Sequence, residues 1–152
     1  MKIDMSGMAR LWLVIMLGLS VTAFAGSPDV THYDVPGDRS LPFSEAVRVG
    51  HMIYLSGQLG FDPETSKLAE GGIAGETRQT MENIKATLEK HGSSMAEVVK
   101  CTVFLADIDE WAAMNKVYMT FFPSNPPARS ALGSSGLALG ARTEIECIAT
   151  VE

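Results

Sequence analysis

Cysteine and histidine are scarce in this chain, and their scarcity limits the kinds of site it can form. The 152 residues include two cysteines and three histidines. His32, His51 and His91 lack the spacing of metal ligands, so no metal site is expected. Cys101 and Cys147 each lie inside an apolar, strand-like run, which favours two buried thiols over a catalytic pair. A disulfide stays open as an alternative, because the sequence does not give their separation.

Positive charge is also sparse. Lysine and arginine number 12 against 18 aspartates and glutamates, which gives a net charge of −6, and no basic cluster interrupts this acidic balance. Proteins that bind nucleic acid neutralise its phosphates with lysine and arginine. The composition therefore argues against a nucleic-acid partner.

The chain lacks an apolar run long enough to cross a membrane. The run over residues 11–21 is about half of the roughly 20 residues that a spanning helix needs. It follows Lys2 and Arg10 and precedes Ala-Phe-Ala at residues 23–25, a layout typical of a secretory signal peptide. We predict a signal peptide over residues 1–25 and a periplasmic or secreted protein without stable membrane insertion. An uncleaved anchor and a wrongly assigned start are the alternatives.

Residues 26–152 have the length of one domain, which can bury a hydrophobic core without depending on disulfides or metal ions. Its first part, rich in proline and aspartate up to Phe43, predicts an extended arm. Residues 46–49 and 52–56 flank Gly50 and His51, as the strands of a hairpin flank a tight turn. Residues 61–75 are dominated by turn residues and predict a loop over the sheet edge.

Two helices and three further strands are predicted in the rest of the chain. The first helix spans residues 75–91, ends before Gly92 and has an inward stripe of Thr77, Met81, Ile84 and Leu88. A strand follows at residues 98–105, and Asp107 opens a capping box for the second helix. That helix has a stripe assigned to the core and not to a cofactor site: Trp111, Met114, Val117, Tyr118 and Phe121. Residues 129–132 and 142–151 predict strands on either side of a glycine-rich segment.

This order of elements predicts an α+β fold with a mixed sheet and both helices on one face. Apolar residues nevertheless occur on both faces. In the hairpin Val47, Val49, Ile53 and Leu55 are expected on one face; in the last strand one face carries Ile145, Cys147, Ala149 and Val151, and the other carries Ile148. Helices on one side cannot cover both faces, so we expect a homo-oligomer that packs sheet against sheet.

One arginine and one glutamate beside the last two strands form the leading functional pair. Arg129 cannot lose its proton and can bind a planar carboxylate through two parallel hydrogen bonds. Glu144, if partly desolvated in a cleft, could exchange protons with water and a leaving amine. Together they match what a site for a small carboxylic acid requires. Without further support, an arginine in a salt bridge and a glutamate on a solvated strand face are the plainer interpretations.

Several segments occur in the order and spacing of a known family. They are Ile-Tyr-Leu-Ser-Gly-Gln at 53–58, Thr-Met-Glu-Asn-Ile at 80–84, Val-Lys-Cys-Thr-Val-Phe-Leu at 99–105 and Pro-Ala-Arg-Ser at 127–130, with Asn115, Tyr118, Phe121 and Phe122 between the last two. From Leu41 onward the chain resembles the reactive intermediate deaminase family, also called RidA or YjgF. The Ser-Gly-Gln strand end and the Pro-Ala-Arg-Ser turn are specific together.

The resemblance implies a chorismate-mutase-like homotrimer with clefts between subunits. It also implies cofactor-independent hydrolysis of reactive 2-imino acids, such as 2-iminobutanoate and 2-iminopropanoate, to 2-oxo acids and ammonia. By position, Arg129 would hold the substrate carboxylate and Glu144 would orient or activate water. Ser56, Gly57, Asn115 and Phe43 would line the pocket.

Two residues depart from the family pattern at the pocket. Phe43 stands where well-studied members have tyrosine, so a phenolic hydroxyl is missing, and Ala131 stands where cysteine is usual, which excludes a thiol nucleophile there. Thr143 is also atypical, so Glu146 remains a rival of Glu144. These departures keep open a non-catalytic trimeric binder of small carboxylates. A ribonuclease, an activity ascribed to some relatives, is the third hypothesis, and the acidic surface disfavours it.

Overall fold

The described part of the chain is an α+β unit built on one mixed sheet. A computed structural model describes residues 26–37 and 40–152, and the predicted signal peptide at residues 1–25 lies outside them. The strands are β1 (Val30–Tyr33), β2 (Ala46–Val49), β3 (Met52–Leu55), β4 (Gln58–Leu59), β5 (Phe61–Asp62), β6 (Lys67–Leu68), β7 (Val98–Leu105), β8 (Ala128–Gly133) and β9 (Thr143–Thr150). The helices are α1 (Gly72–Lys90) and α2 (Trp111–Tyr118). Neither is long and apolar enough to cross a membrane.

The sheet places the two longest strands at its centre. Its order is β1-β2-β3-β9-β7-β8, with β4 pairing to β9 beyond the end of β3. Strands β7 and β8 are parallel, because α2 carries the chain back between them, and the other pairs are antiparallel. The predicted α+β class and mixed sheet are confirmed. Two predictions need correction: the arm contains β1, which pairs with β2, and the loop over residues 61–75 contains the β5-β6 ribbon and the start of α1.

Both helices pack on one face of the sheet, as predicted. Alternate residues of the strands point toward them and are buried, because side chains along a strand alternate between the two faces. The core consists of these strand residues and one stripe from each helix, and its fully buried members include Ile53, Val103, Leu105, Ile145, Ala149, Met81, Ile84, Leu88 and Met114.

The opposite sheet face carries apolar side chains that no described element covers. Tyr54 and Leu132 are each 43% exposed there, and Val47 and Phe104 are half-buried. An apolar sheet face left open in one protomer is a feature of interaction surfaces. The homo-oligomer expected from the sequence remains a prediction.

The β2-β3 hairpin corrects one assignment of faces. Gly50 and His51 form a two-residue turn, with Gly50 at a left-handed φ of 58°, so Val49 lies directly across from Met52 and Val47 from Tyr54. Side chains directly opposite each other in an antiparallel pair share a face. Val47 and Val49 therefore lie on the open face, and the expectation that they share a face with Ile53 and Leu55 was wrong.

The helix boundaries also differ from expectation. Helix α1 begins at Gly72 and not at Gly75. Gly75 lies within its first turn, where a side chain would overlap the carbonyl of Glu70. Its predicted end before Gly92 is confirmed, with Gly92 at φ 79°. Asp107 does cap, accepting a hydrogen bond of 2.9 Å from the Asp109 N–H, but it caps a 3-10 turn at Ile108–Glu110, and α2 begins only at Trp111.

Cys101 and Cys147 form a disulfide across the centre of the sheet. They are directly paired residues of β7 and β9, with Cα atoms 4.2 Å apart, and both are at most 1% exposed. The preferred interpretation as two free buried thiols was wrong, and the alternative left open by the sequence is the observed one. Adjacent positions on paired strands bring the two sulfur atoms together, and strand pairing cannot be read from either segment alone.

We expect the disulfide to contribute about 2–4 kcal/mol to the free energy of unfolding, since it closes a long loop in the unfolded chain. Reduction, or the paired substitution Cys101→Ala with Cys147→Ala, should lower the melting temperature by roughly 5–15 °C. Thermal unfolding with and without reductant, at one protein concentration, measures the effect. The double variant should not respond to reductant. Equal melting temperatures for oxidised and reduced wild-type protein would contradict the prediction.

Candidate active site

Arg129 projects from β8 toward the helix side of the sheet. Pro126 and Pro127, which offer no N–H to a sheet ladder, precede the strand, so β8 starts just before the arginine. Its guanidinium carbon lies 4.6 Å from the centroid of the Tyr118 ring and 5.6 Å from that of Trp111. Two aromatic rings of α2 thus position the cation by cation–π contact.

The Arg129 guanidinium lines a cavity of about 530 Å³ and makes no hydrogen bond to another described residue. The cavity is lined by Asn115, Tyr118, Met119, Phe122, Pro123, Pro126, Pro127 and Arg129. Among the described residues, no carboxylate lies within ion-pair distance of Arg129. A half-buried arginine without an acidic partner, beside an apolar cavity, is arranged to bind a planar anion from outside the protomer.

Tyr118 gives this cavity a second unused polar group. Its hydroxyl is buried and has no hydrogen-bond partner within the described part of the chain. Burial raises the pKa of Tyr118 to about 12, and the positive charge of Arg129 offsets only part of that rise. The phenol therefore stays protonated at neutral pH and keeps an O–H that can donate a hydrogen bond.

Glu144 lies on the opposite side of the sheet, against the backbone of Gly57. Glu144 pairs with Leu59 of β4, and its half-buried side chain rests on the residue just before that strand. A Cβ atom on Gly57 would overlap the carboxylate of Glu144. Glycine is thus required at position 57 by this close approach.

A second cavity, of about 410 Å³, opens beside Gly57. It is lined by Val35, Leu41, Phe43, Glu45, Ser56, Gly57, Gln58, Leu59, Phe61, Asn83 and Leu139. The Ser56 hydroxyl donates to the Ser44 carbonyl at 2.6 Å. The Asn83 side chain donates to the carbonyls of Leu59 and Phe61 at 3.0 and 2.8 Å, which ties the wall of the cavity to α1.

Glu45 closes another wall of this cavity through an ionic cluster. Its carboxylate contacts Lys90 at 2.7 Å and His91 at 2.9 Å, and the Tyr33 ring stacks on His91 at 3.9 Å. Burial alone would raise the pKa of Glu45, but the hydrogen bonds and charges of Lys90 and His91 lower it overall. Glu45 therefore stays ionised and paired near neutral pH, and its ion pairs hold this wall of the cavity in place.

The structure divides the predicted site residues into two groups. Ser56, Gly57 and Phe43 line one cavity, and Glu144 rests on Gly57. Arg129 and Asn115 line the other cavity. The first group will be called the glutamate half-site, and the second, with Tyr118 and Trp111, the arginine half-site.

The sheet itself separates the two half-sites. Arg129 is in register with Cys101 of β7, which pairs with Cys147, so these three residues share the helix-side face. Glu144 lies three residues before Cys147 and therefore on the other face. Glu146 shares the face of Glu144, but it is exposed, whereas Glu144 is half-buried beside the cavity. Geometry thus favours Glu144 over its rival.

Tyr118 and Trp111 are candidate site residues that the sequence analysis missed. Both were assigned to the core, yet Trp111 is 40% exposed and Tyr118 lines the cavity while its ring packs in the core. Their spacing of seven residues, about two helical turns, places both on the same side of α2. This spacing was the signal in the sequence that could have identified them as a pair. Among the described residues, no cluster of three or more histidine, cysteine, aspartate or glutamate side chains could hold a metal ion.

Comparison with known proteins identifies relatives of this chain in one protein family. Residues 38–151 match a family model described as Endoribonuclease L-PSP. The human 2-iminobutanoate/2-iminopropanoate deaminase is 44% identical over 108 residues, which cover 71% of this chain and 79% of that protein. A RutC family protein of Pyrococcus abyssi is 43% identical over 111 residues, 73% of this chain and 87% of the relative. The crystal structure of RidA from an Antarctic Psychrobacter superposes with a TM-score of 0.71 at 39% identity, over 80% of this chain and 98% of the other.

Proposed function

The chain belongs to the RidA/YjgF family, whose family model carries the description Endoribonuclease L-PSP, and from that premise we propose that it hydrolyses reactive 2-imino acids to 2-oxo acids and ammonia. The observation that carries the proposal is the guanidinium of Arg129, which pairs with no described carboxylate, at one cavity, together with the Glu144 carboxylate packed on Gly57 at another. Relatives named 2-iminobutanoate/2-iminopropanoate deaminase support the same reaction class.

The proposed site is shared between subunits. Within one protomer the sheet separates Arg129 from Glu144, so one small substrate cannot contact both. A homotrimer in which the arginine half-site of one subunit faces the glutamate half-site of its neighbour would unite them. The open apolar sheet face, with Tyr54 and Leu132 exposed, supports such packing.

In the proposed reaction, Arg129 holds the substrate carboxylate through two parallel hydrogen bonds. Glu144 accepts a proton from water as the water oxygen bonds to C2 of the protonated imine, which gives a tetrahedral amino alcohol. The carboxylic acid of Glu144 then returns that proton to the nitrogen, the C–N bond breaks with its electron pair going to nitrogen, and ammonia leaves. The C2 hydroxyl gives its proton to the Glu144 carboxylate, which passes it to the departing ammonia, and the 2-oxo acid and ammonium remain.

This reaction requires little from the protein beyond positioning the substrate and a water molecule. The C=N carbon of a protonated imine is already electrophilic, and imines hydrolyse spontaneously in water, so holding the substrate beside an oriented water lowers the barrier. No electron transfer or carbanion is involved, and the proposed mechanism uses no cofactor. Phe43 contributes shape only, since it has no hydroxyl to donate.

We also propose that the protein works outside the cytoplasm. The signal-peptide pattern at residues 1–25 is one support. The Cys101–Cys147 disulfide is a second and independent one, because disulfides persist mainly in oxidising compartments.

A ribonuclease remains less consistent with the chain despite the family description. The net charge of −6 gives a surface that repels phosphates, and no lysine or arginine is among the described residues that line the cavity next to Glu144. Binding of small carboxylates without turnover is the other alternative, motivated by Phe43 and Ala131.

Decay of imines generated by an amino acid oxidase tests the proposal. The mature protein should speed release of ammonia from the imines of alanine and leucine and lower the yield of their semicarbazones. Heat-inactivated protein supplies the background rate. Ligand-dependent thermal shifts without any acceleration would favour the binder, and cleavage of RNA with salt-sensitive binding would favour the ribonuclease.

A further inference from the structure

The cavity of the glutamate half-site has an apolar interior. Its apolar lining consists of Val35, Leu41, Phe43, Leu59, Phe61 and Leu139. These residues come from the N-terminal arm, from the segment around β4 and β5, and from the turn before β9. A volume of about 410 Å³ lies within the range of small-molecule sites. A methyl side chain would leave most of it unfilled.

The polar groups that line the cavity are largely engaged with the protein. Glu45 is paired with Lys90 and His91, Ser56 donates to the Ser44 carbonyl, and Asn83 donates to two backbone carbonyls. The remaining polar lining residue, Gln58, makes only a 3.5 Å contact with the Ser56 carbonyl. A polar side chain of a substrate would lose hydrogen bonds to water and gain few in return. An acidic side chain would also be repelled by the Glu144 carboxylate, which packs against Gly57 at the cavity.

Leu139 is the most exposed large apolar residue described, and it is held in an unusual backbone conformation. It is 72% exposed at the rim of the cavity and has φ 57° and ψ 13°. The left-handed region is unfavourable for a leucine, by about 1 kcal/mol or more. The left-handed backbone holds this solvated leucine at the mouth of the cavity, where its side chain can contact an apolar ligand.

These observations deepen the proposed function and rest on it. We propose that the substrates are 2-imino acids with large apolar side chains, such as those formed from leucine, methionine or phenylalanine, in preference to 2-iminopropanoate. The side chain occupies the apolar cavity and contacts Leu139, while the carboxylate is held by Arg129 of the neighbouring subunit. Phe43 and Leu139 are then residues that determine specificity.

The test compares kcat/KM for imines made by an oxidase from leucine, phenylalanine, alanine and glutamate. We expect the leucine and phenylalanine imines to be preferred over the alanine imine by at least about tenfold, because each buried carbon adds to transition-state binding. The glutamate imine should be the poorest. Leu139→Asn, which tolerates the left-handed conformation, should lower the leucine-to-alanine ratio by about threefold to tenfold.

Ile108→Asn is the matched control. Ile108 is 49% exposed and lines neither cavity, so this variant should keep the wild-type ratio. An equal or better rate with the alanine imine would overturn the inference while leaving the proposed function intact. A Leu139→Asn variant with a wild-type leucine-to-alanine ratio and a less stable oligomer would also overturn the inference, because that result would show that a neighbouring subunit covers the leucine. Failure to accelerate any imine would overturn the proposed function itself.

Discussion

Arg129→Ala is expected to reduce kcat/KM for 2-imino acids by on the order of 10²–10³. The guanidinium is the one cation that the arginine half-site offers to a substrate carboxylate, and no described acidic residue competes for it. Its removal leaves a substrate carboxylate beside Tyr118 and apolar side chains without a counter-charge. Steady-state rates of imine decay across a range of substrate concentrations measure the loss.

Arg129→Lys separates charge from geometry. Lysine keeps a positive charge but cannot make two parallel hydrogen bonds to a carboxylate, so an intermediate loss is expected. Both variants should lose only about 0.5–2 kcal/mol of stability, because the cation–π contacts with Tyr118 and Trp111 are partly exposed. Wild-type rates in a folded Arg129→Ala protein would refute the assignment of Arg129 as the carboxylate-binding residue.

Glu144→Gln is expected to lower kcat by about 10²–10⁴ while changing KM little. Glutamine keeps the size of the side chain and its packing on Gly57, but it cannot take a proton from water or return one to the amine. The loss should therefore fall on the chemical step and not on substrate binding. Single-turnover rates of ammonia release, beside steady-state KM values, distinguish the two.

Glu146→Gln provides the matched control on the same strand and face. Glu146 is exposed and lies two residues from Glu144, so its substitution makes the same change in charge without touching the cavity. It should retain nearly all activity. A large loss in Glu146→Gln with a normal rate in Glu144→Gln would show that the wrong glutamate was chosen.

The two inactive variants also test the shared site together. In the proposed homotrimer, Arg129→Ala and Glu144→Gln chains coexpressed in equal amounts should mix at random, and about a third of the sites in the mixed trimers then combine an intact Arg129 with an intact Glu144 from the neighbour. Activity should therefore reappear in the mixture although neither variant has it alone. Without that recovery, in trimers shown to be mixed, the shared site would be wrong.

Local pattern predicted the elements of this fold better than it predicted their relations. The alternation of Ile145, Cys147 and Ala149 identified the buried face of β9, since strand periodicity is a property of one segment. The face of Val47 was wrong although the two-residue turn was predicted correctly, because pairing across that turn places Val47 opposite Tyr54 and not on the face of Ile53. The disulfide depends on the register between two strands that are distant in sequence, which neither strand encodes.

The candidate site was predictable as a set of residues but not as an arrangement. Ser56, Gly57, Phe43 and Glu144 do lie together, and Arg129 lies with Asn115. The family resemblance supplied those positions, and it implied clefts between subunits. The separation of Arg129 from Glu144 by the sheet follows from the register between the strands. Tyr118 was overlooked because one ring can fill the core with one edge and support a guanidinium with its face.

The Cys101–Cys147 bond makes residues 101–147 a closed covalent ring. Arg129, Glu144, Asn115 and Tyr118 all belong to that ring, so both residues proposed to act on the substrate lie within one loop that has no free end. A cut in the exposed glycine-rich turn between β8 and β9 would leave both cut ends tethered through the sulfur atoms. In the location outside the cytoplasm that we propose, where proteases act on loop tips, this covalent closure would keep the two charged groups connected even after the backbone is broken.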